Sequence, residues 1–247
     1  MDISEMKQEA FNFRSRLNSI KANLAPTDFS WYPYDTLGNF VHLDKLLTGQ
    51  RRSLTELIAA GPVLDIGAAD GDLAFFVESL GLAVDVVENP ATNNNGLRGL
   101  KLLRDQLGSK IELYEIDIDA GDELPNKRYS LAFFLGTLYH IKNSFQILEA
   151  IARRASYCLM STRIARFAPD HVTEIANLPI AYLLDDYEAN CDPTNFWVFS
   201  EAGLKRLLMR SGWDTCDFIT VGDTASSDPG SADRDERAFC LIKSRHF

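Results

Sequence analysis

The sequence predicts an α/β protein with a doubly wound, mostly parallel sheet and a reversed last strand. Three observations carry that prediction. From about residue 56 onward, short β-rich runs alternate with amphipathic stretches at helical spacing. At Pro62-Val63-Leu64-Asp65-Ile66-Gly67 a buried run enters a glycine turn and then a helix. The last two β-rich runs are joined by residues 222–235, which are rich in Asp, Ser and Gly and lack helical periodicity. A simple loop of that kind suits an antiparallel return, because a parallel strand needs a long crossover.

Taken in order, residues 6–24 read as a helix, with Phe11, Ile20 and Leu24 among its apolar positions. Residues 28–35 follow, dense in aromatics and broken by Pro33. Residues 1–55 are therefore expected to form a helical and aromatic extension that serves as a lid. Residues 56–247 are expected to form the main domain. Seven strands are expected there, at residues 63–66, 83–88, 111–116, 130–135, 156–162, 215–221 and 238–243. The clearest helix carries Leu73, Phe76, Val77 and Leu80 at the spacing of one face. Residues 202–208 read as another, closed by Gly212. Residues 181–200 break the rhythm and read as irregular.

Composition narrows the function classes. The chain has 247 residues, 46% of them hydrophobic, and a net charge of −10. That apolar fraction excludes disorder as the main state. The acidic balance argues against nucleic acid without excluding it, since polyanion binders usually carry a basic surplus. No run of apolar residues is long enough to span a membrane. The charged start, Met1-Asp2-Ile3-Ser4-Glu5, is unlike a signal peptide. Cys158, Cys191, Cys216 and Cys240 are widely spaced and read as reduced thiols of a cytoplasmic protein. His42 and His171 show no metal-ligand spacing, so no metal is expected.

The chemistry is concentrated in Asp65-Ile66-Gly67-Ala68-Ala69-Asp70-Gly71-Asp72. Gly67 and Gly71 permit close backbone approach, and Ala69 fills the middle small-residue position. About twenty residues on, the second strand ends at Glu88, placed to accept hydrogen bonds from ribose hydroxyls. The third strand leads into Asp117 and Ile118, an acid and an apolar neighbour suited to adenine. A dinucleotide site would need glycine where Asp72 stands, and a carboxylate there repels a pyrophosphate. A cationic adenosine ligand without phosphate fits better, with Asp65 and Asp70 attractive to it. S-adenosylmethionine is such a ligand.

This pattern resembles the class I S-adenosylmethionine-dependent methyltransferases over roughly residues 55–247, with Ala for the middle glycine. The resemblance implies a Rossmann-like, seven-stranded sheet with a reversed last strand. A narrower resemblance lies in Leu135-Gly136-Thr137-Leu138-Tyr139-His140 and Asp192-Pro193-Thr194-Asn195-Phe196-Trp197. Both stretches look like the branch related to the tRNA wobble-uridine (5-carboxymethoxyuridine) methyl/carboxymethyltransferases. By that resemblance Tyr139 sits near the methyl donor. That branch uses a carboxylated donor, but residues 25–44 here contain no lysine or arginine to pair with it. Arg234 or Arg237 could serve instead.

The expected function is methyl transfer from S-adenosylmethionine to an O, N or C nucleophile of a small or medium metabolite. Asp65, Gly67, Ala69, Gly71, Glu88, Asp117, Ile118 and Gly136 are the cofactor-binding candidates. His140 and Tyr139 are the catalytic candidates. A neutral His140 could take a proton from the acceptor, and plain packing against the next helix is the other reading. Trp31, Tyr32, Tyr34, Asn195 and Trp197 are the acceptor-side candidates. Packing and turn formation are the bland readings of those residues, and Cys191 reads as an inert thiol. A tRNA-modifying enzyme and a non-catalytic cofactor-binding protein of the same fold are the alternative functions. The sequence sets no oligomeric state.

Overall fold

The computed structural model describes residues 1–58, 61–121 and 123–247. They form two compact units, Met1–Phe133 and Phe134–Phe247. In the first, α1 (Ile3–Leu24) begins in a capping box. Asp2 accepts from the backbone of Ser4 and of the third helical position, and Glu5 answers from its side chain to the Asp2 N–H. The helix therefore starts three residues before the apolar spacing alone suggests. Its buried stripe is Ile3, Met6, Ala10 and Leu17.

A short 3₁₀ turn at Leu37–Asn39 leads into α2 (Phe40–Leu46), and a second at Gly49–Arg52 leads into α3 (Leu54–Ile58). Arg52 ties these pieces together by pairing with Asp2 at 2.9 Å and Asp44 at 2.8 Å. Next come β1 (Val63–Ile66), α4 (Asp72–Ser79), β2 (Val84–Glu88), α5 (Arg98–Leu107) and β3 (Glu112–Glu115). The fourth strand, β4 (Tyr129–Leu135), starts in this unit. Their order is β3-β2-β1-β4, and every pair is parallel. Both β1 and β2 are buried along their whole length, as strands covered on two faces must be. Phe76 of α4 receives the rings of Phe13 and Phe40 at 5.7 and 5.2 Å, which docks the N-terminal helices onto the strand layer.

In the second unit a 3₁₀ turn at Leu138–His140 precedes α6 (Ser144–Ala152) and β5 (Ala155–Ala165). Two short strands follow, β6 (Ala181–Leu183) and β7 (Trp197–Ser200), then α7 (Glu201–Arg210), β8 (Trp213–Gly222) and β9 (Glu236–Ser244). As expected, β9 runs antiparallel to its neighbours, β5 and β8. All seven expected strands form. The correction concerns residues 181–200, read as irregular, which contribute β6 and β7. The end of the long β5 extends to pair with β7, which in turn pairs with β6. Strands of three and four residues are too short to show an alternation. All four cysteines are free thiols. Among the described residues no helix is long and apolar enough to cross a membrane.

Trp213 opens β8 at 1% exposure and donates from Nε1 to the Leu148 carbonyl at 3.0 Å. Trp213→Ala removes a large buried ring and one of that carbonyl's hydrogen bonds. A loss of about 3–5 kcal/mol is expected. Urea unfolding monitored by circular dichroism checks it.

Candidate functional site

In the first unit, β1 delivers the chain into a turn that needs left-handed backbone. Gly67 has φ +77° and Gly71 has φ +85°. A Cβ on Gly71 would stand 2.8 Å from the Phe75 ring, so glycine is required there on two counts. Ala69 adopts φ +54°, a region costly for a residue with a Cβ. Its backbone is held at both ends. Its N–H donates to Glu88 Oε2 at 2.8 Å, and its carbonyl accepts from Asn93 Nδ2 at 3.2 Å.

Glu88 closes β2, and its other oxygen accepts the Asn89 N–H at 3.2 Å. Burial outweighs these hydrogen bonds and lifts its carboxyl to about 7. Asp65, central in β1, is 4% exposed, and its Oδ2 has no partner among the described residues. Burial, helped by the charge of Glu88, lifts it to about 8. Two strained acids therefore flank one tight turn.

The neighbouring acids behave differently from the sequence expectation. Asp70 accepts the Tyr32 N–H at 2.6 Å and Asn95 Nδ2 at 2.8 Å, so its carboxylate is engaged inside the protein. Asp72 is no bare charge at the start of α4. Lys21, from 51 residues upstream, donates to both of its oxygens at 2.8 Å. Repulsion of a phosphate by Asp72 is thereby weakened.

The aromatic segment is strapped to this region by its backbone. Ser30 accepts from Asn94 and Asn95, and Asp28 pairs with Arg98, which also covers the Phe29 ring. Trp31 packs edge-on to Phe29, with the Lys21 ammonium 5.4 Å from its ring centre. Tyr32 is half-buried against Tyr34, whose own ring is 67% exposed. Lys21, Phe29 and Trp31 also line an open cavity of about 380 Å³, none of whose lining residues belongs to the glycine turn. Asp117 spends Oδ1 on the N–H groups of Asp119 and Ala120, and Ile118 beside it is half-buried.

The second unit gathers a different set. Gly136, at φ +73°, donates its N–H to Ser161. Tyr139 Oη accepts from Arg237 Nη1 at 3.3 Å, and that guanidinium lies 5.6 Å from the tyrosine ring centre. Arg237 is opposite Arg163 in the β5–β9 ladder, and the two share Asp235 at 2.9 and 3.3 Å. Burial works against the Arg237 charge, but Tyr139 and Asp235 overcome it and hold its proton more tightly than usual.

His140 lies 4.3 Å from Tyr139, ring centre to ring centre. Its Nδ1 is 3.0 Å from both the carbonyl oxygen and Oγ1 of Thr194. Burial, helped by Arg237, lowers its pKa, with Thr194 and Asp192 opposing, which favours the neutral imidazole. Asn195 is 8% exposed and binds Asn190 through Nδ2, while among the described residues its Oδ1 and the buried Nε1 of Trp197 have no partner. The Phe196 N–H donates to the Tyr139 carbonyl at 2.8 Å, which ties the 192–197 stretch to the 3₁₀ turn.

Sequence reasoning missed Lys21, Asn93, Arg163 and Thr194. Only Thr194 had a local signal, because Asp-Pro-Thr favours a turn in which the aspartate caps the backbone two residues on.

No protein-family profile matches the chain, and no curated protein sequence does. Solved structures do match in fold. The N-terminal domain of EvdMO1 with SAH bound aligns at 16% identity and TM-score 0.56, over 99% of this chain and 97% of that one. In the presence of SAH and D-fucose the same domain gives TM-score 0.58, again at 16% identity, over 99% and 98%. The longer EvdMO1 chain is covered over only 39% of its length. TehB from Haemophilus influenzae aligns at 17% identity and TM-score 0.53, over 77% of this chain and 60% of that one. The 4+2 cyclase SpnF aligns at 10% identity and TM-score 0.56, over 89% and 88%. The fold is of the class I methyltransferase kind. At these identities the likeness shows the fold alone.

Two outcomes are expected from the glycine turn. Because the carboxyls of Asp65 and Glu88 are raised in the folded state, the fold binds more protons than the unfolded chain over that range. Stability is then greatest below about pH 4 for these groups and falls as pH rises to about 8. Melting curves across that range should show the decline, and Asp65→Asn should flatten it. Separately, Ala69→Gly relieves the left-handed strain and should stabilise the fold by about 1 kcal/mol in chemical denaturation.

Proposed function

We propose that the chain is a cytoplasmic S-adenosylmethionine-dependent methyltransferase whose acceptor is a small or medium metabolite with an O, N or C nucleophile. The observation that carries this reading is the pair of buried acids, Asp65 and Glu88, around a turn open to close backbone approach. Such a turn disfavours a phosphate and favours a cation bearing ribose hydroxyls. The unpartnered Asp65 oxygen suits the ligand's positive end. With the Ala69 and Asn89 N–H groups and the Asn93 side chain already on it, Glu88 keeps acceptor capacity for a ribose hydroxyl.

When bound, S-adenosylmethionine supplies a methyl group made electrophilic by its sulfonium. The chain's task is then positioning, desolvation and proton removal. In this reading Gly67, Ala69 and Gly71 line the methionine end, Asp117 and Ile118 meet the adenine, and Gly136 borders the donor. Trp31, Tyr32 and Tyr34 offer aromatic faces to a cation. Tyr139 and His140 serve the acceptor, with Asn195 Oδ1 and Trp197 Nε1 as its hydrogen-bonding partners. Residues 1–55 act as the extension and residues 56–247 as the methyltransferase domain. SAH bound to the EvdMO1 domain supports the cofactor, and the structure of that domain in the presence of SAH and D-fucose is consistent with a hydroxyl-bearing acceptor.

S-adenosylhomocysteine should raise the melting temperature, while NAD and ATP leave it unchanged. At about 100 times its dissociation constant the gain is about 2.7 kcal/mol. Glu88→Gln keeps the shape but loses the charge-assisted bonds, so calorimetric affinity should fall about tenfold. Absence of heat with S-adenosylhomocysteine at high micromolar concentration would overturn the proposal.

A further inference from the structure

We infer that Asp192 and Thr194 are positioning residues that fix the proton of His140 on Nδ1 and leave Nε2 as the proton acceptor. The inference deepens the methyltransferase reading. It adds that the acceptor is protic, a hydroxyl or an amine that gives up a proton.

The argument is one of donors and acceptors. His140 Nδ1 lies 3.0 Å from the Thr194 carbonyl oxygen, which can only accept. It lies equally close to Thr194 Oγ1. That hydroxyl has already given its hydrogen to Asp192 Oδ1 at 2.6 Å, so it too presents only lone pairs to the ring. Both partners therefore demand a proton on Nδ1. In the neutral imidazole the lone pair must then sit on Nε2, which has no hydrogen-bond partner among the described residues.

Asp192 holds the arrangement rigid. The same Oδ1 accepts the Thr194 N–H at 2.9 Å, and the Asp192 carbonyl accepts the Asn195 N–H at 3.0 Å. Pro193 between them restricts the backbone further. The carboxylate thus orients Thr194 through two bonds and places a negative charge behind the imidazole. Arg237 contributes the opposing charge, and Tyr139 flanks the ring. A proton leaving an acceptor oxygen or nitrogen bonds to Nε2. The resulting imidazolium keeps its Nδ1–H directed at Thr194, with Asp192 stabilising the new charge. Positioning of this kind differs from plain packing, which needs neither a defined tautomer nor a carboxylate behind it.

The test is nitrogen-15 NMR of the histidine-labelled, unliganded full chain. The chain has 4 histidines, and His140→Gln identifies the signal of interest. The expected result is a neutral His140 protonated on Nδ1 at neutral pH. Asp192→Asn keeps the turn and the acceptor oxygen but removes the charge. It should leave the tautomer unchanged and lower the titration midpoint of His140. S-adenosylhomocysteine affinity, measured in parallel, should stay within about twofold, as expected where binding free energy changes by well under 1.4 kcal/mol. A wild-type His140 protonated on Nε2 would overturn the inference, as would a midpoint indifferent to Asp192→Asn. Failure of the wild-type chain to bind S-adenosylhomocysteine would instead remove the methyltransferase reading, while the tautomer result would stand by itself.

Discussion

The first unit is organised around the hydrogen bond that Glu88 accepts from the Ala69 N–H. It joins the end of β2 to the turn after β1, and it holds Ala69 in a left-handed conformation that its own Cβ disfavours. Asn93 grips the carbonyl of the same residue, so the turn is preset rather than free to adjust. The arrangement keeps two carboxyls in a dry place with less compensation than they need. That is why both Asp65 and Glu88 are raised so far above the ordinary carboxyl range. A fold with no use for charge there would gain by replacing them, so the tension points to a ligand that relieves it.

A second constraint follows from Lys21. Its ammonium bridges the last turn of α1 and the first turn of α4, where Asp72 already suits the positive end of the helix dipole. With Tyr32 bound through its backbone to Asp70, the N-terminal segment becomes part of the wall around the turn. The aromatic rings are placed by these backbone and charge contacts more than by apolar packing. Tyr34 has no such backbone anchor among the described residues and lies largely in solvent.

These differences explain what was legible in the sequence. Strands such as β1, β2 and β4 and the glycine turn were readable because continuous burial and positive φ each leave a local mark, in apolar runs and in glycine. Ala69 left no such mark, since its conformation is imposed by Glu88 from another strand. The capping box was written in Asp2 and Glu5, but apolar spacing pointed to a later start for the helix. Strands β6 and β7 were hidden because a three- or four-residue pairing exists only through its neighbours. The partnership of Lys21 with Asp72 spans 51 residues, and no local pattern encodes it. Thr194 sits between the two cases: its turn was legible, but its place beside His140 was not.

Fold likeness leaves the chemistry open, since the 4+2 cyclase SpnF shares this architecture with the EvdMO1 domain. The chemistry must come from local electrostatics. Arg163 and Arg237 face each other across an antiparallel pair, an arrangement that repels unless compensated. Asp235 pairs with both guanidinium groups, and Asp228 adds a second negative charge acting on Arg163. Burial, helped by the Arg237 charge, favours the neutral imidazole at His140. Without an opposing term these two influences would also make it a poor base, because the protonated product would be penalised. Asp192, acting through Thr194, supplies the opposing term. A binding protein requires no such balance, whereas a proton acceptor needs a group that is neutral beforehand and able to carry charge afterwards.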